Sequence, residues 1–314
     1  MLEQILTISF MTAFLSAAIR MTVPLLYAAL GELFAEKTGI LNIGMEGVML
    51  NGAFFAFAGA FVSGGNLWVG VLCGMFGGVI VSMIHGVLSI TLAQDQSVVG
   101  LALNMLFLGF TTFFAKLVKA GDSYAQLSTF QTIEIPVLSK IPLIGPALFN
   151  QDIFTYILYI LIVVMFVFFA KTTKGLEFEA IGEHPRAADA AGIPVHKYQY
   201  IAMVVNGILG GIGGSTLVLV QLGVFTDNMI SGRGYIALAA VILGRYTPFG
   251  TVGAALIFGA ANALQIRLQA IGVPLPANAF AMLPYIITLV ALLGSIGRSN
   301  EPEALSKPYI RGSR

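Results

Sequence analysis

Charge is what this chain has least of. Asp, Glu, Lys and Arg make up 10% of its 314 residues, against 57% hydrophobic residues. A soluble domain carries about 25% charged residues. This composition cannot cover a protein with a water-compatible surface, so lipid has to solvate much of the chain. The few charges nearly cancel, at a formal +1, which excludes bulk attraction to a polyanion such as nucleic acid. A single cysteine, Cys73, excludes an internal disulfide framework and reads as core packing within its apolar run. The three histidines, His85, His184 and His196, have no metal-ligand spacing. The patterns G-x-x-x-x-G-K-[ST], H-E-x-x-H and G-x-S-x-G are all missing, so no catalytic residue, metal site or cofactor is expected in this chain. The opening MLEQILTISF lacks the basic region and small-residue cleavage site of a signal peptide and runs straight into an apolar segment.

What the chain does have is a series of apolar runs near the ~20 residues that a membrane helix requires. These place spans at 5–30, 45–62, 67–92, 98–118, 152–170, 199–220, 234–246, 250–269 and 280–297. The expectation is an all-α polytopic membrane protein forming a single transmembrane domain over 1–314, with nine helices within a range of eight to ten. The seventh run is short, and its helix is either broken or starts nearer 228. With nine spans, ten Lys and Arg fall on the side that holds the loops 31–44, 93–97, 171–198 and 247–249 and the tail 298–314, against three on the other side. The positive-inside bias then places the loop 171–198 and the tail in the cytoplasm, and the loop 119–150 outside. The side of the N-terminus depends on the count being odd.

Glycine is plentiful, with 36 residues, and clusters within the spans. Gly70/Gly74, Gly207/Gly211 and Gly210/Gly214 have the spacing of four that lets helix backbones approach closely. That spacing serves either tight packing or sliding during a transport cycle. Polar side chains in the spans are few: Arg20, Glu46, His85, Asn104, Asn206, Asn262 and Gln265. Such groups are costly in lipid and face either neighbouring helices or a water-filled path. An uncharged polar lining suits a neutral, hydrogen-bonding solute.

Two loops carry most of the information. The stretch 31–52, GELFAEKTGILNIGMEGVMLNG, interrupts two apolar runs with glycines and brings Asn42 and Glu46 close to a re-entry into the membrane. It reads either as a hairpin with a polar cap or as a broken helix beside a pathway. The stretch 171–198 holds eight charges, four of each sign. Within it Pro185 suits a first helical position, Gly192 a C′ position, and Pro194 blocks continuation, which predicts a short helix over 185–191. So short a helix is marginal alone in water and needs something to pack against. Its four alanines, Ala187, Ala188, Ala190 and Ala191, permit close approach to another protein or to the membrane surface. Arg186 and Asp189 lie three apart on one face and can pair with each other or with a partner.

Three segments together resemble a known family. GILNIGMEGVMLNGAF at 39–54, GEHPRAADAAGI at 182–193 and SGRGYIALAAVILGRYTPFG at 231–250 are similar to hallmark segments of bacterial ABC-importer permeases of the nucleoside and simple-sugar branch. KPYI at 307–310 is similar to the tail of the members that import nucleosides. His184 departs from the family pattern, which more often has asparagine there. The resemblance spans nearly the whole chain and implies a type II ABC-importer permease in the bacterial plasma membrane, moving nucleosides by alternating access, with a ribose-type sugar permease as the alternative and a stand-alone secondary transporter as a more distant one. It further implies three partners: a cytoplasmic ATPase that supplies the hydrolysis, a second homologous permease forming a heterodimer, and an extracellular substrate-binding lipoprotein. On this reading Glu183, His184, Pro185, Arg186, Ala187, Ala188, Asp189 and Gly192 form the coupling segment. Asn42, Glu46, Asn104, Phe107, Asn206 and Asn262 are the candidate pathway residues, with Phe107 and Phe110 available to stack on a base.

Overall fold

The computed structural model describes residues 8–118, 126–270 and 300–311, together with positions 282, 286 and 290. In chain order the helices are α1 (Ile8–Glu36), α2 (Met45–Val62), α3 (Leu67–Gly86), α4 (Gln96–Val118), α5 (Ile144–Phe149), α6 (Ile153–Lys171), α7 (Thr173–Glu183), α8 (Pro185–Ala190), α9 (Val195–Thr216), α10 (Arg233–Leu243) and α11 (Pro248–Ala270). Among the described residues seven of these, α1, α2, α3, α4, α6, α9 and α11, are long and apolar enough to cross a membrane. Single π-helical turns, Val87–Thr91 and Leu217–Leu222, prolong α3 and α9. Two residue pairs, Ile133–Glu134 and Asn150–Gln151, form a small antiparallel ribbon ahead of α6.

Local chemistry sets several helix starts. The Asn66 side chain accepts from the N–H groups of Trp68 and Val69 at 3.1 and 3.3 Å and opens α3. Asp152 does the same for α6, accepting from Phe154 and Thr155 at 2.9 and 3.1 Å. Each satisfies amides that no helical carbonyl can reach. Pro24 sits inside α1. The carbonyl it frees, that of Arg20 four residues earlier, accepts from the Gln221 side-chain amide at 2.9 Å, so a neighbouring segment restores the lost bond.

The centre of the bundle is a seam of bare backbone. α9 packs against α1, α2 and α3, and α2 packs against α3. Where they cross, glycine faces glycine. A Cβ at Gly52 on α2 would stand 2.6 Å from the Cα of Gly211 on α9. One at Gly207 on α9 would stand 2.6 Å from the Cα of Val79 on α3. One at Gly78 would collide with the Gly207 carbonyl, one at Gly214 with the Met49 carbonyl, and one at Gly74 with the Ser215 hydroxyl. These contacts leave no room for a methyl group. In lipid, where helices gain little from hydrophobic association with each other, such approach maximises dispersion contact.

Each of the first eight apolar runs contains a helix, and the ninth, 280–297, lies outside the described residues except for positions 282, 286 and 290. Three boundaries need correction. The first span does not end at 30, because α1 continues through Gly31 and Glu32 to Glu36. Gly31 lies against the Asn206 carbonyl of α9, so the helix stays packed in protein past the point where its sequence turns polar. The supposed loop 31–44 is therefore only the turn 37–44. It is neither an exposed hairpin cap nor a break in one helix: Thr38, Ile40 and Asn42 are buried, and Gly39 turns the chain at a φ of +83°. The seventh run forms only the eleven-residue α10, preceded by turns at 227–232.

Substituting Gly78 by Ala is expected to lower unfolding stability in detergent by about 1–3 kcal/mol through overpacking. Gly253→Ala, where among the described residues the added carbon meets nothing beyond its own helix within 4 Å, should be neutral or slightly stabilising. Thermal melts of the two purified variants check the pair.

Candidate functional site

The polar residues of the spans form two connected groups. The first centres on Glu32, fully buried on α1. Its carboxylate accepts from the Asn42 backbone N–H at 2.7 Å and from the Asn206 amide at 2.8 Å. Asn42 donates to the Asn206 side-chain oxygen at 2.8 Å, and the Ser82 hydroxyl on α3 lies 3.0 Å from that same oxygen. Four segments, α1, the turn 37–44, α3 and α9, thus meet at one asparagine. Gln96 at the start of α4 ties in a fifth, accepting from the Leu41 N–H at 2.7 Å.

The second group centres on Glu46 and Asn104. The N–H groups of Gly232 and Gly234 donate to the two oxygens of Glu46, each at 2.7 Å. A carboxylate on α2 therefore caps the N-terminus of α10 from across the bundle, where the helix dipole favours negative charge. Only glycine allows this contact, since a Cβ on Gly234 would overlap the Glu46 backbone. Asn104 on α4 accepts from the Gly47 N–H at 2.8 Å and donates to the Ile43 carbonyl at 2.9 Å and the Tyr235 hydroxyl at 2.8 Å. Tyr235 is half exposed, at 42%, so this group reaches the surface of the bundle.

Of the candidate pathway residues the structure brings Asn42 together with Asn206, and Glu46 together with Asn104. Phe107 is buried in an aromatic row with Phe110 and Phe114, with centroids 5.7 and 4.5 Å apart in sequence along the row. Asn262 stands apart, and among the described residues it donates to the Phe258 carbonyl of its own helix at 3.0 Å. Of the other polar span residues, Arg20 donates to Gln151 at 3.2 Å and His85 is fully buried. Glu32, Ser82, Gln96 and Tyr235 were not singled out from sequence. Glu32 and Glu36 lie one helical turn apart, a like-charge spacing that gives no sequence signal for a continued helix. Among the described residues no His, Cys, Asp and Glu cluster is arranged to hold a metal ion.

The loop 171–198 folds into two helices, where the sequence suggested one. α7 continues from α6 after a kink at Thr172, whose hydroxyl caps the new helix at the Gly175 N–H, 2.9 Å away. The Lys174 ammonium and the Tyr198 hydroxyl both bond the Glu177 carboxylate and fasten α7 to the start of α9. They hold the Glu177 carboxyl below the usual carboxylate range, and the Glu177 carboxylate, followed by the Tyr198 hydroxyl, raises Lys174 above its ordinary value. α8 then runs Pro185–Ala190, with Pro185 in its first turn and Gly192 at a φ of +84° just past its end. The sequence-predicted 185–191 differs only in the capping residue Ala191. His184 provides no side-chain cap for α8 and instead approaches Glu303 at 3.4 Å. Ala188 turns inward, 3% exposed, while Ala187, Ala190 and Ala191 face outward with Glu183 and Arg186. Asp189 pairs not with Arg186 but with Arg311 of the tail, at 3.2 Å.

Replacing Asn206 by Leu removes one of the two hydrogen-bond donors to a fully buried carboxylate, together with the acceptor of Asn42 and Ser82, and is expected to cost about 3 kcal/mol or more. Asn262→Leu breaks only a bond within its own helix and should cost less than about 1 kcal/mol. Denaturation of both variants in detergent distinguishes them.

Comparison with known proteins places this arrangement. The sequence profile of the family described as "Branched-chain amino acid transport system / permease component" matches residues 14–292. The guanosine ABC transporter permease NupQ of Bacillus subtilis is 40% identical over 301 residues, covering 93% of this chain and 94% of that protein. The nucleoside ABC transporter permease NupC of Lactococcus lactis is 32% identical over 92% of this chain and 93% of its own. A Haloferax volcanii protein provisionally named a glucose ABC transporter permease, TsgC13, is 32% identical over 96% of this chain and 99% of its own. A multi-pass bundle with these matches from end to end belongs to the family of branched-chain amino acid transport system permease components.

Proposed function

We propose that this chain is a permease subunit of an ATP-driven importer that carries nucleosides across the bacterial plasma membrane. The observation that carries the reading is the 40% identity to a guanosine permease across nearly the full length of both chains. The chain itself performs no hydrolysis in this reading. An ATPase subunit in the cytoplasm supplies it, a second homologous permease completes a heterodimer, and an extracellular lipoprotein delivers the solute. With α10 and the run 280–297 counted as spans the chain crosses nine times in a type II importer architecture, 171–198 and the tail lie in the cytoplasm, and 119–150 lies outside.

α8 is the coupling helix in this account. The exposed alanines, Glu183 and Arg186 offer a small, close-fitting face to the ATPase, while Pro185 and Gly192 fix the helix ends. Asn42, Glu46, Asn104 and Asn206 border the solute path. Their hydrogen bonds already join helices to one another, so solute passage requires the groups to exchange partners as the bundle rocks, with Phe107 behind them. Asn262 contributes polarity on α11.

A second reading, a simple-sugar permease, is favoured by the identity to TsgC13, which equals that to NupC. Uptake by the complete complex in proteoliposomes separates the two. Labelled guanosine should accumulate with ATP and be displaced by unlabelled nucleosides but not by ribose or glucose. Accumulation of a sugar without a nucleoside would replace the first reading with the second. Ala187→Glu, on the outward face of α8, should reduce uptake by about tenfold with the protein still in the membrane. Ala188→Glu would bury a charge in the chain's own core and report on folding instead.

A further inference from the structure

Two arginines lie inside the long apolar helices, Arg20 on α1 and Arg267 on α11, and both line one open cavity. Its volume is about 590 Å³, within the ~300–1,000 Å³ range of ligand sites. Thr12, Ser16 and Asn150 bring hydroxyl and amide groups to its wall, and among the described residues no Asp or Glu lines it. Asp152 faces a smaller neighbouring cavity that also includes Arg20. It is buried there, and its oxygens are taken by the Phe154 and Thr155 amides and the Thr155 hydroxyl.

Neutral groups hold both guanidinium groups in place. Arg20 donates through Nε to the Gln151 side-chain oxygen at 3.2 Å. Gln151 is itself fixed, donating to the Ala147 carbonyl at 2.6 Å and the Ser16 hydroxyl at 3.3 Å. Arg267 donates through one Nη to the Ala13 carbonyl at 3.2 Å. Among the described residues neither arginine forms an ion pair. A cation on an apolar helix is costly unless something answers its charge. Two such cations on one cavity without an acid call for an anion. Their depth is set as well. Arg20 reaches Gln151 just before α6 begins, and Arg267 lies in the last turn of α11, so both sit toward the end of the bundle where helices leave the membrane. Apolar surface continues beside them, with Met11 36% and Ile266 49% exposed.

We propose that this cavity binds the phosphate of an anionic phospholipid, held between Arg20 and Arg267. Guanidinium groups present paired N–H donors that match phosphate oxygens two at a time. Ser16 and Asn150 add neutral polar groups on the same wall. The exposed Met11 and Ile266 give the acyl chains an apolar surface to follow, which favours a lipid over free phosphate. The bound headgroup ties α1 to α11 and to the segment ahead of α6. With the loop 119–150 outside, the lipid comes from the outer leaflet. Only that leaflet rests on the proposed orientation, and the site is independent of which solute the chain carries.

Native mass spectrometry of the purified complex, with thermal melts in the presence of each probe, is the test. The probes are phosphatidylglycerol, phosphatidylcholine and inorganic phosphate. The unaltered complex is expected to retain phosphatidylglycerol about tenfold over phosphatidylcholine, and the double variant Arg20→Gln/Arg267→Gln to lose that preference. Lys140→Gln, at an exposed cation outside the cavity, should keep it. Equal retention of the two lipids by the unaltered complex overturns the proposal and needs no variant, so it decides even where the double variant does not reach the membrane. Unchanged preference in the double variant also overturns it. If inorganic phosphate stabilises the unaltered complex as much as phosphatidylglycerol at equal concentration, and the two arginines are needed for this, the anion site stands and its lipid source is overturned. Loss of the extracellular lipoprotein from the double variant, with lipid retention unchanged, would assign the arginines to carboxylates of that partner and overturn the lipid site.

Discussion

The rest of the bundle depends on the glycine seam between α2, α3 and α9. Gly52, Gly74, Gly78, Gly207, Gly211 and Gly214 let three backbones touch where side chains would otherwise hold them apart. Because α9 sits this deep, Asn206 comes within hydrogen-bonding distance of Glu32 on α1 and Ser82 on α3. The same depth puts Gly210 against Val48 and Gly213 against the Pro24 carbonyl. A buried carboxylate is tolerable only with partners at this range. The seam is thus the condition for the polar centre, and it fixes the small-residue spacings of α3 and α9 as packing devices.

The polar centre and the segment 171–198 are physically continuous. The turn 37–44 carries Asn42 at one end and accepts the tail's Ser306 at Gly39. Lys37, at its start, pairs with Glu179 of α7 at 2.8 Å. A displacement of α8 and α7 therefore meets the end of α1 directly, through short contacts and not through a flexible loop. Glu46, by contrast, holds a segment with little regular structure of its own, the stretch before α10. The carboxylate cap gives its backbone amides a fixed partner across the helices.

Much of this was readable before any coordinates. Spans of about twenty apolar residues announce themselves because lipid permits little else. Pro185, Gly192 and Pro194 marked α8 to within one residue, since each restricts backbone geometry in its own way. The end of α1 was not readable. Gly31 and Glu32 look like an exit from the membrane, yet the helix is enclosed by α9 there, and enclosure is a tertiary fact. Asn42 and Asn206 were recognisable as costly polar groups, but nothing in the sequence pairs residues so far apart. Tyr235 gave no signal, since an aromatic beside Arg233 and Gly234 reads as interface packing until Asn104 is seen to reach it. α7 escaped notice because its mixed charges mask its one buried face, which carries Phe178 and Ile181.

Amide hydrogen exchange on the complex, with and without the ATPase subunit, tests the central claim most directly. The account predicts that adding the ATPase protects the amides of 183–193, while those of the α2–α3–α9 seam, already slow, do not change. Protection confined to other segments, with 183–193 exchanging at the same rate in both states, would contradict it.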